Sequence, residues 1–344
     1  MSDLNNLFGA KISRRTVLGG ALATSAIWVY RPPSLWAQQM QNYLPPGVTP
    51  KPKGPLVFRD YDKEELDYAY EQLHWAPNME DVFRREAQKN ALARARLGPP
   101  RRLAYGPTEI EKLDLYVTEQ ADAPIHVFIH GGTWRFSDAA SAAYLAEPFV
   151  DFGAHFVAVD FASVVETNGD LMPLADQVRR AVAWVYENAE SFGGNREQVF
   201  VSGHSSGGHL AAVVLTTDWQ SDYGLPMDVV KGGLCASGMY DLHPGSLSIR
   251  NTYVNFTNDI VEILSPQRHL DKLVAPVIVA YGTLETPEFQ RQNRDFAAAL
   301  EAAGKSVTLL VAEGYNHFEI EQTLGNPYGL LGNAALEQMN LTRA

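Results

Sequence analysis

The chain has 344 residues, of which 46% are hydrophobic, and its formal net charge at pH 7 is −12. A chain of this length can bury a substantial core, whereas its acidic balance disfavours binding to the phosphates of nucleic acids. The single cysteine, Cys235, excludes an intrachain disulfide and lies in an apolar run that favours a buried position. Because the sequence has neither an HExxH motif nor a cysteine pair, we expect no metal site and no cofactor.

The first 37 residues have the order of a secretory signal. A basic cluster that ends in Arg14 and Arg15 precedes an uncharged stretch at residues 16–30, and a small residue follows at Ala37. The paired arginines resemble a twin-arginine signal, which predicts export by the Tat machinery and a periplasmic mature protein. The uncharged stretch is shorter than the ~20 residues that span a bilayer, so we expect no stable membrane insertion after signal cleavage. The alternative is a cytoplasmic protein with an unstructured N-terminus.

Residues 38–102 predict a linker followed by a helical arm. Proline and polar residues dominate residues 38–57, which indicates an extended connection. Residues 60–97 then combine good helix formers with apolar positions at near-helical spacing, and a Gly-Pro-Pro sequence at residues 98–100 ends the pattern. We expect two amphipathic helices that pack on a larger body.

Residues 103–344 predict one α/β domain, because short apolar runs alternate with segments of helical spacing. The predicted strands are KLDLYV, IHVFIH, AHFVAVDF, QVFVSG, VKGGLCAS, PVIVAYG and SVTLLVAEG. The predicted helices between them include LADQVRRAVAWVYENAESF, GGHLAAVVLTTDW and EFQRQNRDFAAALEAAG. This alternation indicates a mostly parallel central sheet with helices on both faces. Ligands of such sheets bind beyond the carboxyl ends of the strands, so polar residues just past a strand are the candidates for a functional site.

The most informative stretch is GHSSG at residues 203–207, which lies between a predicted strand and a predicted helix. In a nucleophile elbow of the form G-x-S-x-G, the turn is so tight that residues two positions from the central serine must lack bulk. Ser205 is that central serine and the candidate nucleophile. The backbone N–H of Ser206, at the start of the helix, would point at a developing oxyanion. The alternative is an ordinary turn from strand to helix.

A second glycine-rich loop, HGGTW at residues 130–134, directly follows the predicted strand IHVFI. Glycines in this position let backbone N–H groups turn inward, as in the HGG-type oxyanion loop. We therefore expect Gly131 and Gly132 to contribute oxyanion donors together with Ser206. His130 is expected to orient the loop rather than to take part in catalysis.

Several aromatic side chains are candidates for an apolar substrate pocket. On the glycine-rich loop, Trp134 is expected to form a wall of the acyl pocket and Phe136 to lie beside it. His204, next to the candidate nucleophile, is a further candidate pocket residue. Tyr253 and Phe256 could extend the pocket for an aryl group, although ordinary core positions are the alternative for these aromatics.

A base and an acid that could activate Ser205 follow later strands. A serine hydroxyl is a weak nucleophile until a base removes its proton. His317 comes soon after the last predicted strand, where an α/β-hydrolase has its base. Glu285 follows the preceding strand and could hold the imidazole, with Glu288 as the second choice. The order Ser205, Glu285, His317 is the order of nucleophile, acid and base in α/β-hydrolases.

These motifs together resemble the kynurenine formamidase (arylformamidase) branch of the α/β-hydrolase superfamily. The stretches HGGTW, GHSSGGHLAA, YGTLETPEFQRQ and YNHFEI carry the resemblance, which covers roughly residues 58–340. It implies an α/β-hydrolase fold with Ser205 as nucleophile, His317 as base and an oxyanion hole near Gly131, Gly132 and Ser206. The family usually has aspartate where Glu285 stands. Kynurenine formamidases act in cytoplasmic tryptophan breakdown, so an export signal would place this chain apart from that substrate.

The sequence therefore predicts a serine hydrolase that cleaves a small carboxylic ester or an aryl-formamide through an acyl-enzyme. A broad periplasmic carboxylesterase that acts on another substrate is one alternative. A ligand-binding protein on a hydrolase scaffold is another, although such a protein would normally have lost a member of the triad. The expected partner is a small-molecule ester or amide, and a homodimer is possible.

Overall fold

The core of the protein is an eight-stranded β-sheet. The computed structural model describes residues 43–49 and 51–341; the predicted export signal at residues 1–37 lies outside the described residues. A small hairpin, β1 (Leu56–Phe58) and β2 (Tyr61–Asp62), precedes the sheet. The strands of the sheet are β3 (Arg101–Ala104), β4 (Lys112–Tyr116), β5 (Ala123–Ile129), β6 (His155–Val159), β7 (Gly194–His204), β8 (Gly232–Ala236), β9 (Val277–Gly282) and β10 (Val307–Ala312).

The strands are arranged in the order β10-β9-β8-β7-β5-β6-β4-β3. The pairs from β10 to β6 are parallel, whereas β4 is antiparallel to both β6 and β3. Each of the seven predicted strands is present. The sequence analysis missed β3, because its two arginines and exposed side chains lack the apolar run of a buried strand. The sheet consequently begins at Arg101, slightly before the predicted start of the domain.

Helices cover both faces of the sheet. The helices are α1 (Lys63–Ala69), α2 (Met79–Leu97), α3 (Ala143–Asp151), α4 (Met172–Asn188), α5 (Ser206–Leu215), α6 (Trp219–Tyr223), α7 (His243–Ser246), α8 (Asn258–Ile263), α9 (Pro287–Ala302), α10 (His317–Gln322) and α11 (Leu330–Gln338). One core contains buried side chains of α4, α5 and α9, and the other contains those of α3 and α11. This arrangement is the α/β-hydrolase fold that the sequence predicts.

Side chains of the central strands alternate between the two cores. In β5, Ile125, Val127 and Ile129 belong to the first core, whereas Phe128 belongs to the second. All seven residues of this strand are buried. A strand covered on both faces needs apolar side chains at odd and even positions, which explains why the predicted strands are continuous apolar runs rather than alternating patterns.

The N-terminal arm packs against the body of the domain. Its two predicted helices appear as α1 and α2, joined by a short 3₁₀ turn at Gln72–Trp75. Arg96 near the end of α2 forms ion pairs with Glu147 and Asp151 of α3. At the end of α1, the ring of Tyr70 contacts the ring of Phe289 in α9. The arm therefore contacts one helix of each core, α3 of the second and α9 of the first.

No helix in the described part of the chain is both long enough and apolar enough to span a membrane.

Candidate active site

Ser205 lies in a strained turn between β7 and α5. Its backbone angles are φ 57° and ψ −124°, a conformation that is costly for a residue with a side chain. A Cβ on Gly203 would lie 2.1 Å from the carbonyl oxygen of Gly207, and a Cβ on Gly207 would lie 2.0 Å from that of Ile129. The chain can turn this sharply only with glycine at both positions, which is the steric requirement of a nucleophile elbow.

Two side chains from distant parts of the sequence meet Ser205. The Nε2 atom of His317 lies 2.9 Å from the hydroxyl oxygen of Ser205, and its Nδ1 atom lies 2.9 Å from Oε2 of Glu285. His317 begins α10 just beyond β10, and Glu285 follows β9. All three side chains are buried. The carboxyl edge of the parallel sheet therefore brings together the three residues that the sequence singled out.

The carboxylate of Glu285 is held by three donors. Besides its contact with His317, its Oε1 atom accepts hydrogen bonds from the Ser237 hydroxyl at 2.6 Å and from the Gly282 N–H at 2.7 Å. Burial acts to raise the pKa of Glu285, but the hydrogen bond and charge of His317, and then the bonds from Gly282 and Ser237, outweigh it and lower the pKa. The carboxylate is therefore kept ionised beside the imidazole.

Glu288, the second choice for the acid, does not contact His317. Its two carboxylate oxygens accept hydrogen bonds from the Arg291 guanidinium at 2.7 and 2.6 Å. Glu288 lies in the first turn of α9, whereas Glu285 precedes that helix. The loop before the helix thus directs the earlier glutamate, and not the later one, towards His317.

Ser237 is a site residue that the sequence analysis missed. It directly follows β8, and its positive φ of 54° turns the chain so that its hydroxyl reaches Glu285. The available signal was its position: it is a polar residue at the carboxyl end of a parallel strand next to the strand that carries Ser205.

Of the expected oxyanion donors, Gly131 lies against Ser205 and Ser206 directly follows it in the chain. A Cβ on Gly131 would lie 3.2 Å from the Cβ of Ser205, so the glycine-rich loop passes directly against the serine. The Trp134 N–H donates to the Ser206 hydroxyl at 3.1 Å, which ties this loop to the start of α5. Within the described residues, no hydrogen bond uses the backbone N–H of Gly131, Gly132 or Ser206. Gly131 and Gly132 also line the cavity that opens onto Ser205, whereas Ser206 is buried at the start of α5.

A cavity of about 530 Å³ opens onto Ser205 and His317. Five parts of the chain line it: the arm, the glycine-rich loop and the residues just after it, the turn between β7 and α5, the segment after α7, and α10. The lining residues are Tyr70, Glu71, Gln72, Leu73, His74, Phe83, Glu86, Gly131, Gly132, Thr133, Arg135, Phe136, Ser137, His204, Ser205, Ile249, Arg250, Thr252, Tyr253, His317, Phe318 and Glu321. The arm thus forms a wall of the site, which its amphipathic pattern alone did not indicate.

The candidate pocket residues have different positions. His204, Phe136 and Tyr253 line the cavity, with Phe136 largely exposed at its rim. Phe256 is not among the lining residues. Trp134 also does not line the cavity, contrary to the expectation that it walls the acyl pocket. Positive φ values at Thr133 and Trp134 turn the loop so that the indole is buried beneath it.

The buried indole of Trp134 has a polar partner. Its Nε1–H donates to Nδ1 of His209 at 3.3 Å, and Nε2 of His209 lies 2.7 Å from the carbonyl oxygen of Leu264. Burial lowers the pKa of His209 to about 4, so its ring is neutral and can accept that bond. Trp134 therefore supports the glycine-rich loop from below.

A second group of charges lies beside the imidazole of His317. The Nδ1 atom of His204 is 3.3 Å from Oε2 of Glu321, and the rings of His204 and His317 are 4.6 Å apart. Burial acts to lower the pKa of His204, but Glu321 raises it above its ordinary value. Burial, and then the charge of Glu321, raise the pKa of Glu86 to about 7.

These charges act on the candidate base. Burial is the main cause that lowers the pKa of His317, and the charge of His204 lowers it further, whereas Glu285 acts to raise it. The net direction is downward, so His317 is neutral at lower pH than an ordinary histidine.

The arm also fixes the loop that carries His317. The amide of Asn316, the residue that caps α10, donates to Oδ1 of Asn78 at 2.7 Å, and Asn78 donates to Glu319 at 2.7 Å. Asn78 thus accepts a hydrogen bond from the cap residue and donates one to a carboxylate in the first turn of α10, which restricts the start of this helix. The position of the imidazole therefore depends in part on the arm.

Among residues 43–49 and 51–341, no group of three or more His, Cys, Asp or Glu side chains is placed to hold a metal ion.

Comparison with known proteins identifies the family. The BD-FAE family matches residues 113–228. The kynurenine formamidase of Danio rerio is 33% identical over 82% of this chain and 98% of its own length. The kynurenine formamidase of Salmo salar is 35% identical over 79% of this chain and 95% of its own length. This chain belongs to the kynurenine formamidase family of α/β-hydrolases.

Other relatives of this chain include esterases. Esterase LipC of Mycobacterium tuberculosis is 27% identical over 66% of this chain and 61% of its own length. The crystal structure of a candidate thioesterase from a Silicibacter species superposes with a TM-score of 0.66 and 25% identity, covering 78% of this chain and 97% of that one. The formamidase and esterase relatives show that this chain is a hydrolase of the α/β class.

Proposed function

We propose that this member of the kynurenine formamidase family is a serine hydrolase that cleaves a small carboxylic ester or an aryl-formamide through an acyl-enzyme. The observation that carries the proposal is the position of the His317 imidazole, whose two nitrogens lie 2.9 Å from Ser205 and 2.9 Å from Glu285. A serine, an imidazole and a carboxylate in this contact order are the arrangement that activates a hydroxyl for attack on a carbonyl.

In the first half of the reaction, Ser205 attacks the carbonyl carbon while His317 accepts the hydroxyl proton. Glu285 stabilises the resulting imidazolium and fixes its tautomer. The oxyanion that forms would accept hydrogen bonds from the unpaired N–H groups of Gly131, Gly132 and Ser206. His317 then protonates the leaving alcohol or amine, which departs and leaves an ester on Ser205.

In the second half, water replaces the leaving group in the cavity. His317 removes a proton from this water, which attacks the acyl-enzyme, and the same backbone donors stabilise the second oxyanion. The imidazolium returns its proton to the Ser205 oxygen as the acid leaves. The protonation states at the end equal those at the start, so the cycle needs no further group.

Turnover of two model substrates tests the proposal and separates its two branches. We expect wild-type protein to hydrolyse N-formylkynurenine, p-nitrophenyl acetate or both, and the Ser205→Ala variant to lose about 10⁴- to 10⁶-fold in kcat on the same substrate. A preference for the formamide supports the formamidase branch, and a preference for the ester supports the esterase branch. Turnover by Ser205→Ala at the wild-type rate would exclude the acyl-enzyme. Absence of turnover on every ester and amide would favour a ligand-binding protein.

The esterase branch has a specific observation in its favour. The paired Arg14 and Arg15 before an uncharged stretch predict export by the twin-arginine route, and the substrate of cytoplasmic tryptophan breakdown is not expected in the periplasm. We propose that the mature protein is periplasmic. Fractionation of cells that express wild-type protein or the Arg14→Lys/Arg15→Lys double variant tests this location; equal export of the two proteins would contradict it.

A further inference from the structure

The cavity contains a buried cation that has no acidic partner among the described residues. Arg250 is 2% exposed and lines the cavity that opens onto Ser205. Its Nη1 donates to the Tyr253 hydroxyl at 2.8 Å, and its Nη2 donates to the Tyr70 carbonyl at 3.2 Å. Its Nε–H is buried and has no hydrogen-bond partner within residues 43–49 and 51–341. A guanidinium has five N–H donors, so most of the donors of Arg250 are unused in the described structure.

No carboxylate of the described residues forms an ion pair with Arg250. Three aromatic rings surround its guanidinium instead: the centroids of Trp134, Tyr70 and Phe289 lie 5.5, 5.6 and 5.9 Å from Cζ. The buried Glu288 accepts from the Tyr70 hydroxyl, but its charge is matched by Arg291. Contacts with rings offset part of the cost of burying a charge, yet a desolvated cation is costly without an anion beside it.

A second arginine approaches the same place. The Cζ atom of Arg135 lies 3.9 Å from the centroid of the Tyr253 ring, the residue whose hydroxyl contacts Arg250. Arg135 also lines the cavity, and its Nε donates only to the Thr133 hydroxyl, at 3.2 Å. Two guanidinium groups that contact the same tyrosine repel each other, and an anion bound between them would reduce that repulsion. Glu71, Glu86 and Glu321 line the same cavity, but in the described part of the chain none of them forms an ion pair with Arg250 or Arg135.

The arginine pair is close to the reacting groups. The ring of Phe289 contacts both sides, because its centroid lies 5.9 Å from Cζ of Arg250 and 5.3 Å from the ring centroid of His317. Arg250 and Ser205 line the same cavity, so one small molecule bound to Arg250 would also reach Ser205. The planar N–H fork of an arginine matches the two oxygens of a carboxylate.

We propose that Arg250, supported by Arg135 across Tyr253, binds a carboxylate of the substrate, so that this hydrolase selects esters or amides that carry a free acid near the scissile bond. This inference rests on the proposed hydrolase function for its kinetic consequence, but not for the binding itself. Arg250 is a specificity-determining residue in this account, whereas the bond-breaking steps remain with Ser205 and His317.

Binding to the Ser205→Ala variant tests the site without any catalysis. Benzoate and benzamide have nearly the same shape and differ in charge. We expect isothermal titration to give benzoate a Kd at least about tenfold lower than that of benzamide, because a charge-assisted hydrogen bond replaces a neutral one. Equal affinities, or tighter binding of benzamide, would overturn the proposal. This arm needs no change at Arg250, so it remains informative even if variants at that residue do not fold.

Hydrolysis of matched substrates supplies the second arm. The pairs are para-acetoxybenzoate against para-acetoxybenzamide, with the acid on the leaving group, and p-nitrophenyl succinate against p-nitrophenyl succinamate, with the acid on the acyl group. In at least one pair, kcat/KM of wild-type protein should favour the acid. Arg250→Gln should reduce that preference about 10- to 100-fold, and Arg135→Gln should reduce it less.

Arg294→Gln is the matched control, because it removes the same charge from a guanidinium that lies over Tyr281 and does not line the cavity. This variant should keep the wild-type preference. An equal loss in Arg250→Gln and Arg294→Gln would overturn the proposal. Selective benzoate binding together with no turnover of any substrate would instead contradict only the proposed hydrolase function.

Discussion

Two buried serine–histidine pairs lie close together in this protein, and only one of them has the surroundings of a catalytic site. Ser205 contacts His317 at 2.9 Å, and Ser202, three positions earlier on β7, contacts Nε2 of His126 at 2.7 Å. By distance alone, the second pair is as good as the first. The surroundings of the two pairs, rather than the serine–histidine hydrogen bond itself, distinguish them.

The Ser202 pair is enclosed in the core. The ring of His126 stacks on Phe149 at 4.0 Å, and its Nδ1 atom is buried without a partner. Burial lowers the pKa of His126 to about 3. A histidine that resists protonation this strongly, with no carboxylate to stabilise its cation, cannot serve as a base.

The Ser205 pair differs in three respects. Glu285 contacts the second nitrogen of His317, the glycine-rich loop passes against Ser205 at Gly131, and a cavity gives access. The difference follows from the position of each serine relative to β7: Ser202 lies within the strand, whereas Ser205 follows its carboxyl end. The elbow, rather than the histidine contact, separates the two sites.

Replacing each histidine should give the largest contrast. His317→Gln should lower kcat by about 10⁴- to 10⁶-fold, because the serine hydroxyl loses its base. His126→Gln should keep kcat close to wild type and lower the melting temperature, since it disturbs a packed core. Steady-state kinetics and thermal unfolding of both variants measure this. Similar losses of kcat in the two variants would remove the distinction between the pairs.

The acid can be tested by comparing two glutamates. Glu285→Gln should lower kcat by about 10⁴-fold, because the imidazole loses both its orientation and the charge that stabilises its cation. Glu288→Gln, which disturbs the Arg291 pair and the contacts with Tyr70 and Gln292, should lose stability and much less activity. A larger loss of kcat in Glu288→Gln than in Glu285→Gln would contradict the assignment of Glu285 as the acid.

The pH dependence of kcat/KM should reveal the environment of His317. Only the neutral imidazole can accept a proton, so activity rises as pH increases through its pKa. Because burial and His204 lower that pKa, the acid limb should have its midpoint below about 6.5, the ordinary value for histidine. His204→Asn removes a neighbouring cation and should move the midpoint to higher pH. A midpoint that shifts down in this variant would contradict the role assigned to His204.

The smallest effect on activity is expected at Ser202. Ser202→Ala removes the partner of the buried His126 Nε2 atom, which should reduce the free energy of unfolding by about 1–3 kcal/mol. Denaturant titration measures this change. Loss of activity in a folded Ser202→Ala protein would show that the buried pair is coupled to the reaction.

Short-range patterns in the sequence were sufficient for seven of the eight strands of the sheet and for the two side chains, Glu285 and His317, that meet at Ser205. The tight turn at Ser205 requires glycine at residues 203 and 207, so local sequence predicts it. The order of the strands places Glu285 and His317 at the same edge of the sheet, so topology predicts their approach to Ser205. The edge strand β3 was missed because exposed polar strands carry no hydrophobic pattern. Trp134 was expected in the cavity, because the sequence does not show that positive φ values turn its side chain inward.

The walls of the cavity depend on contacts between distant segments. The approach of the arm to α10 through Asn78 and Asn316, and that of Arg250 to Tyr70, join residues far apart in the chain. No periodicity encodes such pairs. The candidate catalytic residues could therefore be predicted from motifs, whereas the residues that form the cavity walls depend on tertiary contacts.

Covalent labelling by a fluorophosphonate most directly tests the central claim that Ser205 is an activated nucleophile. The reagent reacts with an activated serine but not with an ordinary one. Peptide mapping of the labelled wild-type protein should find the adduct on Ser205 and none on Ser202, and His317→Gln should abolish it. An adduct on another residue, or labelling that persists in His317→Gln at the wild-type rate, would contradict the account.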